Sequence, residues 1–105
     1  MALLIMKYDV RPEQADAFIK WATESTIPRI LKVTGLVEFR SYRPVTGSHQ
    51  IASTYEFVDM AACAAWLAHD DYQTLMDEFR PFATNVTTEL WGPSPVVPEP
   101  LRPKK

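Results

Sequence analysis

The chain has 105 residues, the size of one domain, and its 47% hydrophobic and 23% charged content is that of a chain that folds rather than one that stays disordered. A formal net charge of -2, with Lys and Arg scattered except for Arg102, Lys104 and Lys105, excludes the basic footprint of a nucleic-acid binder. Lys7 and Asp9 cut the apolar run Ala2 to Met6 short of a signal core or a membrane span, so a cytoplasmic protein without a membrane partner is expected. The single cysteine and two distant histidines give no disulfide and no zinc-ligand spacing, so no metal is expected.

Leu3 to Val10 reads as a buried strand ended by Arg11 and Pro12, and proline suits the first turn of the helix that follows. Ala15, Phe18, Ile19 and Ala22 recur at i, i+3, i+4, i+7 and predict one buried stripe. Pro28 disfavours helix at Ile27, which predicts a break or kink there, a short continuation through Ile30 and Leu31, and a stop at Gly35. Leu36 to Arg43 and Gln50 to Val58 are rich in β-branched and aromatic residues and flank a turn, so they should pair as a hairpin. Neither face of that hairpin is purely polar. Two helices in so short a chain cover one face, which points to a second copy of the chain as the cover for the other.

Asp59 is a candidate cap for a helix over Met60 to Ala68, whose small and apolar residues predict burial on the sheet or a partner. Asp70 and Asp71 resemble a second cap, followed by Tyr72, Leu75, Met76 and Phe79 at helical spacing up to Pro81. Asn85 to Trp91 reads as the last strand. The tail 94–105 holds four of the nine prolines and is expected to be extended, either frayed or laid as an arm across a neighbouring subunit through Val96, Val97 and Leu101. Residues 1–93 thus make one α+β domain of ferredoxin-like βαββαβ order, a four-stranded antiparallel sheet with kinked helices on one face.

This order, the Arg-Pro entry to the first helix and the terminal Thr88, Glu89, Leu90, Trp91, Gly92, Pro93 segment resemble the dimeric α+β barrel superfamily over residues 3–93, nearest to its antibiotic biosynthesis monooxygenase-like branch. The resemblance implies a homodimer with small molecules bound between sheet and helices. It also implies activities such as cofactor-independent oxidation of phenolic polyketides, polyketide cyclisation, lactone isomerisation or haem breakdown. Trp66 and Tyr72 match the Trp and Tyr that border the substrate in the monooxygenase-like members. Ala62 stands where those members carry an Asn, and Met76 where the haem-degrading ones need a His.

Trp66, His69 and Tyr72, at i, i+3 and i+6, would share a drifting stripe on one continuous helix. They are either core aromatics beside a helix junction or a pocket wall. In the second case His69 and Tyr72 are the candidate catalytic residues, His69 taking a proton and Tyr72 hydrogen-bonding the oxyanion, while Trp66 stacks on a ring. Tyr8, Tyr55 and Arg40 are further substrate-binding candidates on the sheet, although Arg40 with Glu38 or Glu56 also reads as an ion pair. His49 falls in a turn and Cys63 in an apolar helix, and neither is assigned chemistry.

The function expected is a homodimeric, cofactor-independent monooxygenase or cyclase acting on a small aromatic or polyketide-like molecule. The alternative is a non-catalytic dimer that binds a small hydrophobic ligand or serves as an accessory subunit. An enclosed cavity of at least roughly 300 Å³ lined by two or more of these polar side chains would favour a small-molecule site, and a filled interior the accessory role.

Overall fold

The computed structural model describes residues 1–104. Strand β1 (Ala2–Val10) leads through a 3-10 turn at Pro12–Gln14 into helix α1 (Ala15–Trp21), as the Arg-Pro signal predicts. Ala22–Thr26 then winds as a π-helical turn, closed by the Ile27 N–H donating to the Ala22 carbonyl, and α2 (Ile27–Ile30) continues the same rod. The expected break or kink thus falls as a wider turn just ahead of Ile27, and not as a break at Ile27 itself. The wider turn ahead of Pro28 takes up the irregularity, and the helical path runs on through the proline.

The chain leaves α2 through Gly35, whose φ of +83° is the left-handed conformation expected of a helix stop. Its carbonyl accepts the Val58 N–H at 2.9 Å, which ties this corner to the far end of the hairpin. The space beside it is filled: a Cβ at Gly35 would lie 2.6 Å from the Cβ of Ala62.

Strands β2 (Leu36–Tyr42) and β3 (Ile51–Phe57) form the predicted hairpin. Helices α3 (Met60–Leu67) and α4 (Asp70–Phe79) follow, and β4 (Ala83–Trp91) closes an antiparallel sheet of order β2-β3-β1-β4. This is the ferredoxin-like arrangement, with the helices on one face. The tail beyond Gly92 has no regular structure and is exposed; its last residue, Lys105, lies outside the described residues.

Two expectations about the helices need correction. Ile19 faces solvent, and Trp21 packs inward beside Phe18 and Ala22 in its place. Helix α3 is buried on one face only: Cys63 and Trp66 enter the core, whereas Ala61, Ala64, Ala65 and Ala68 stay exposed. Small side chains permit close packing but do not require it.

The core forms two clusters along the sheet. Leu4, Phe57, Cys63, Trp66 and Leu75 make one, and Met6, Tyr8, Phe18, Phe79 and Ala83 the other, with Trp21 and Tyr55 packed against both. The outer face of the sheet carries Leu3, Ile5 and Lys7 opposite Glu56, Thr54 and Ala52. Lys7 pairs with Glu89 at 3.2 Å there, and Arg40 pairs with Glu38.

Candidate active site

Alternation along β1 and β3 sends Met6, Tyr8, Ser53 and Tyr55 to the helical side of the sheet, where they floor a chamber of about 150 Å³ between the two core clusters. Trp21 and Thr26 roof it from the first helical rod, and Trp66 and Tyr72 from α3 and α4. The volume is half the size set out as the mark of a small-molecule site, yet it is neither filled nor polar. A cavity of that size admits a single benzene-sized ring. Among the lining residues Ser41, on edge strand β2, is the one exposed to solvent, so the mouth lies beside it.

Three hydrogen bonds centred on Glu78 hold the roof. Glu78 accepts from the Trp21 indole N–H at 2.8 Å and from both terminal nitrogens of Arg29, at 2.7 and 3.1 Å, which fixes α2 to α4 and orients the Trp21 ring. Arg29 and then Trp21 hold the Glu78 carboxyl below the usual carboxylate range. The Trp66 ring meets Tyr72 edge-on, 5.6 Å between centroids, and Tyr8 meets Phe79 edge-on at 4.7 Å.

The chamber wall contains no carboxylate, amine, guanidinium, imidazole or thiol; its polar groups are hydroxyls and the two indoles. Burial pushes the Tyr8 phenol up, a shift that its hydrogen bond to Ser53 only partly offsets. Tyr55 is pushed up further, by burial first and then by Tyr8 and Tyr72. Tyr72 rises for the same first reason, partly countered by the Arg80 charge. All three phenols therefore stay protonated at neutral pH and keep an O–H that can be donated.

These shifts set a pH dependence of stability. A phenol whose pKa is raised on folding contributes fully below the unfolded value of about 10, and that contribution is lost as pH rises beyond it. Thermal unfolding should thus be insensitive to tyrosine ionisation up to about pH 9 and fall progressively above about pH 10. The Tyr55→Phe chain should show a shallower alkaline fall, as read by calorimetry across that range.

The structure brings together Trp66, Tyr72, Tyr8 and Tyr55 and separates the other two candidates from them. His69 lies outside the chamber. A continuous helix would have put it on the same stripe as Trp66 and Tyr72, but the chain leaves helical geometry at His69, with φ −78° and ψ 144°. Its ring stacks on the outer side of Trp66, 6.2 Å between centroids, and its Nδ1 accepts the Asp71 N–H at 3.0 Å. His69, not Asp70, is the cap of α4. It borders a second cleft, of about 420 Å³, with Arg29, Lys32, Asp71 and Thr74.

Arg40 stands exposed on the outer face of the sheet in its ion pair with Glu38, away from the chamber, because the alternation of β2 points it opposite to Phe39 and Ser41. His49 contacts the Asn85 carbonyl at 3.0 Å, and Cys63 is buried, its thiol pushed up by burial. Ala62 packs against Gly35 and the outer cleft and does not reach the chamber. Among the described residues no cluster of His, Cys, Asp and Glu could hold a metal ion, and no helix is long and apolar enough to cross a membrane.

Sequence reasoning missed Trp21, Thr26 and Ser53. Ser53 had a readable signal, a lone hydroxyl at an inward position of an alternating strand. Trp21 lay outside the stripe counted from Ala15, and Thr26 owes its place to the π-helical turn, for which the residues carry no clear mark.

A family description for antibiotic biosynthesis monooxygenases matches residues 1–78. Among solved structures, the chain is similar to HapK from Hahella chejuensis (20% identity, TM-score 0.74, 90% of this chain and 94% of that one). It is also similar to SnoaB, a cofactor-independent oxygenase from Streptomyces nogalater, in a mutant form (16% identity, TM-score 0.70, 93% and 97%). A third is a DABB family protein with a ferredoxin-like fold from Mesorhizobium loti (15%, 0.70, 89% and 96%). At these identities the likeness to solved structures speaks for the fold alone. No curated protein sequence matches the chain.

Proposed function

Because the chain belongs to the antibiotic biosynthesis monooxygenase family, we propose that it is a cofactor-independent oxygenase for a small, electron-rich phenol of one ring. The observation that carries this reading is the chamber itself: aromatic walls, room for one ring, and three protonated tyrosines with no basic side chain beside them. Its size favours a single ring over a polycyclic polyketide.

A wall without a base cannot take the substrate's proton. The substrate enters as its phenolate, or loses its proton to water at the Ser41 mouth. The tyrosine hydroxyls then hold the phenolate oxygen in a water-poor site, where charge-assisted hydrogen bonds are strong. The phenolate is the more readily oxidised form, and O2 is the co-substrate. For a hydroquinone the balance closes without another reductant: a ring C–H bond breaks, a C–O bond forms to one atom of O2, and the other atom leaves as water. The ring ends as a hydroxyquinone, having supplied all the electrons.

The test is oxygen uptake with a panel of substituted hydroquinones, corrected for autoxidation, with isotope-labelled O2. The expected result is one labelled oxygen in the quinone product and a pH–rate profile that moves with each substrate's own pKa. A profile fixed near pH 6.5 for every substrate would put an imidazole base in the mechanism and overturn the reading. Tight binding of these rings without oxygen uptake would favour the ligand-binding role instead.

We also propose that the working unit is a homodimer joined through the outer face of the sheet. All helices lie on the other face, and the outer one leaves the rings of Tyr42 and Trp91 about half exposed, at 48% and 47%, with no helix over them. Light scattering on the chain, and on a form ending at residue 93, should give twice the chain mass in both. A monomer at micromolar concentration would remove this part of the proposal.

A further inference from the structure

The chamber and the outer cleft have two wall residues in common, Trp66 and Leu75. Every other lining residue belongs to one space or the other, the cleft being bordered by exposed side chains such as Lys32, His69 and Thr74. Trp66 and Leu75 are each only 7% exposed. A buried residue that borders two cavities stands between them.

The junction of α3 and α4 explains how the indole comes to stand there. Cys63 and Trp66, three residues apart, form the buried face of α3, with Trp66 in its last turn. The chain then leaves helical geometry at His69, so the imidazole stacks on one side of the indole, 6.2 Å between centroids. Tyr72, from α4, meets the same indole edge-on at 5.6 Å. His69 borders the cleft and not the chamber, and Tyr72 the chamber and not the cleft. The indole is therefore met by one neighbour from each space.

Resting on the reading of the chamber as a site for a phenolic ring, we propose that Trp66 is the residue that restricts it to one ring. The indole is a partition that keeps a fused two-ring phenol from reaching through the helical layer into the cleft. The chamber alone, at about 150 Å³, holds one ring, whereas joined to the cleft of about 420 Å³ it would exceed the roughly 300 Å³ at which small-molecule pockets begin. Leu75 completes the partition from α4. The indole is the larger of the two side chains, and its removal is what joins the spaces.

The experiment measures binding under argon, not turnover, so it stands apart from the oxidation chemistry. Phenol and 2-naphthol, which differ by one fused ring, are titrated into the full native chain, Trp66→Leu and Trp66→Phe, with calorimetry for affinity and amide NMR for position. The native chain should take phenol, with shifts at Met6 and Ser53, and bind 2-naphthol more weakly than phenol. Trp66→Leu should bind 2-naphthol about tenfold or more tighter than the native chain does, through the apolar surface that the second ring buries. Its shifts should appear together at Met6 and Ser53 in the chamber and at Ala65 and Thr74 in the cleft. Trp66→Phe keeps an aromatic wall and should fall between. Truncating a core ring lowers stability, so cooperative melting is checked first, and Trp66→Phe decides if Trp66→Leu does not fold. A native chain that takes 2-naphthol as tightly as phenol overturns the partition. So does a folded variant that gains no affinity for 2-naphthol, or binds it with the cleft amides unmoved. If phenol itself does not bind the native chain, the reading of the chamber falls and the role of Trp66 with it.

Discussion

Gly35→Ala should destabilise the chain by roughly 3 kcal/mol, because two penalties meet at one atom. The residue holds φ at +83°, where an L side chain is strained by about 1 kcal/mol or more, and the added methyl would sit 2.6 Å from the Ala62 Cβ. Relief requires moving the α2–β2 corner away from α3, which would open the wall around Trp66. Gly47 is the internal control: its φ is +91°, but nothing lies within 4 Å of a Cβ there. Gly47→Ala should therefore show the backbone strain alone, about 1 kcal/mol. Chemical denaturation of both variants separates the terms. Equal losses would mean that the corner does not pack on α3 as described.

Tyr55→Phe should lower kcat/KM by about tenfold to a hundredfold on any substrate that the oxygen-uptake screen identifies. The change removes a donor to a charged oxygen, worth about 1.5 to 3 kcal/mol. Phenylalanine keeps the ring contact with Phe39, 5.0 Å between centroids, so the fold should be unaffected. Tyr72→Phe should act in the same direction. His69→Ala should do the reverse: it leaves kcat/KM within about twofold and costs about 1 kcal/mol of stability through loss of the α4 cap. A collapse of turnover in His69→Ala with Tyr55→Phe unaffected would assign the chemistry to the outer cleft.

The contrast between these residues shows how far the sequence could be read. Period and turn chemistry gave the strands, the hairpin, the Asp59 cap, which accepts the Ala62 N–H at 2.8 Å, and the stop at Gly35. Each is set by residues next to one another in the chain. Tyr8, Tyr55, Trp66 and Tyr72 were legible as inward-facing rings because strand alternation and helical spacing point them to the space between sheet and helices; their use as a site is the proposal. His69 was misplaced because the reading assumed an unbroken helix. The imidazole itself ends α3 and starts α4, and thereby turns away from the stripe. Thr26 was invisible because a π-helical turn shifts side chains around the axis, and no local pattern of residues marks where such a turn falls. The size of the chamber, too, depends on how Trp21 and Trp66 settle against one another's neighbours, which no local pattern encodes.

In the proposed function the small molecule enters the space between sheet and helices and not the outer cleft, and two-dimensional amide NMR of the labelled chain during a phenol titration distinguishes the two. Shifts centred on Met6, Phe18, Ser53 and Thr26 are expected. Shifts confined to Lys32, Thr34, Asp71 and Thr74, with the chamber residues unmoved, would place the molecule in the outer cleft and overturn the proposed function.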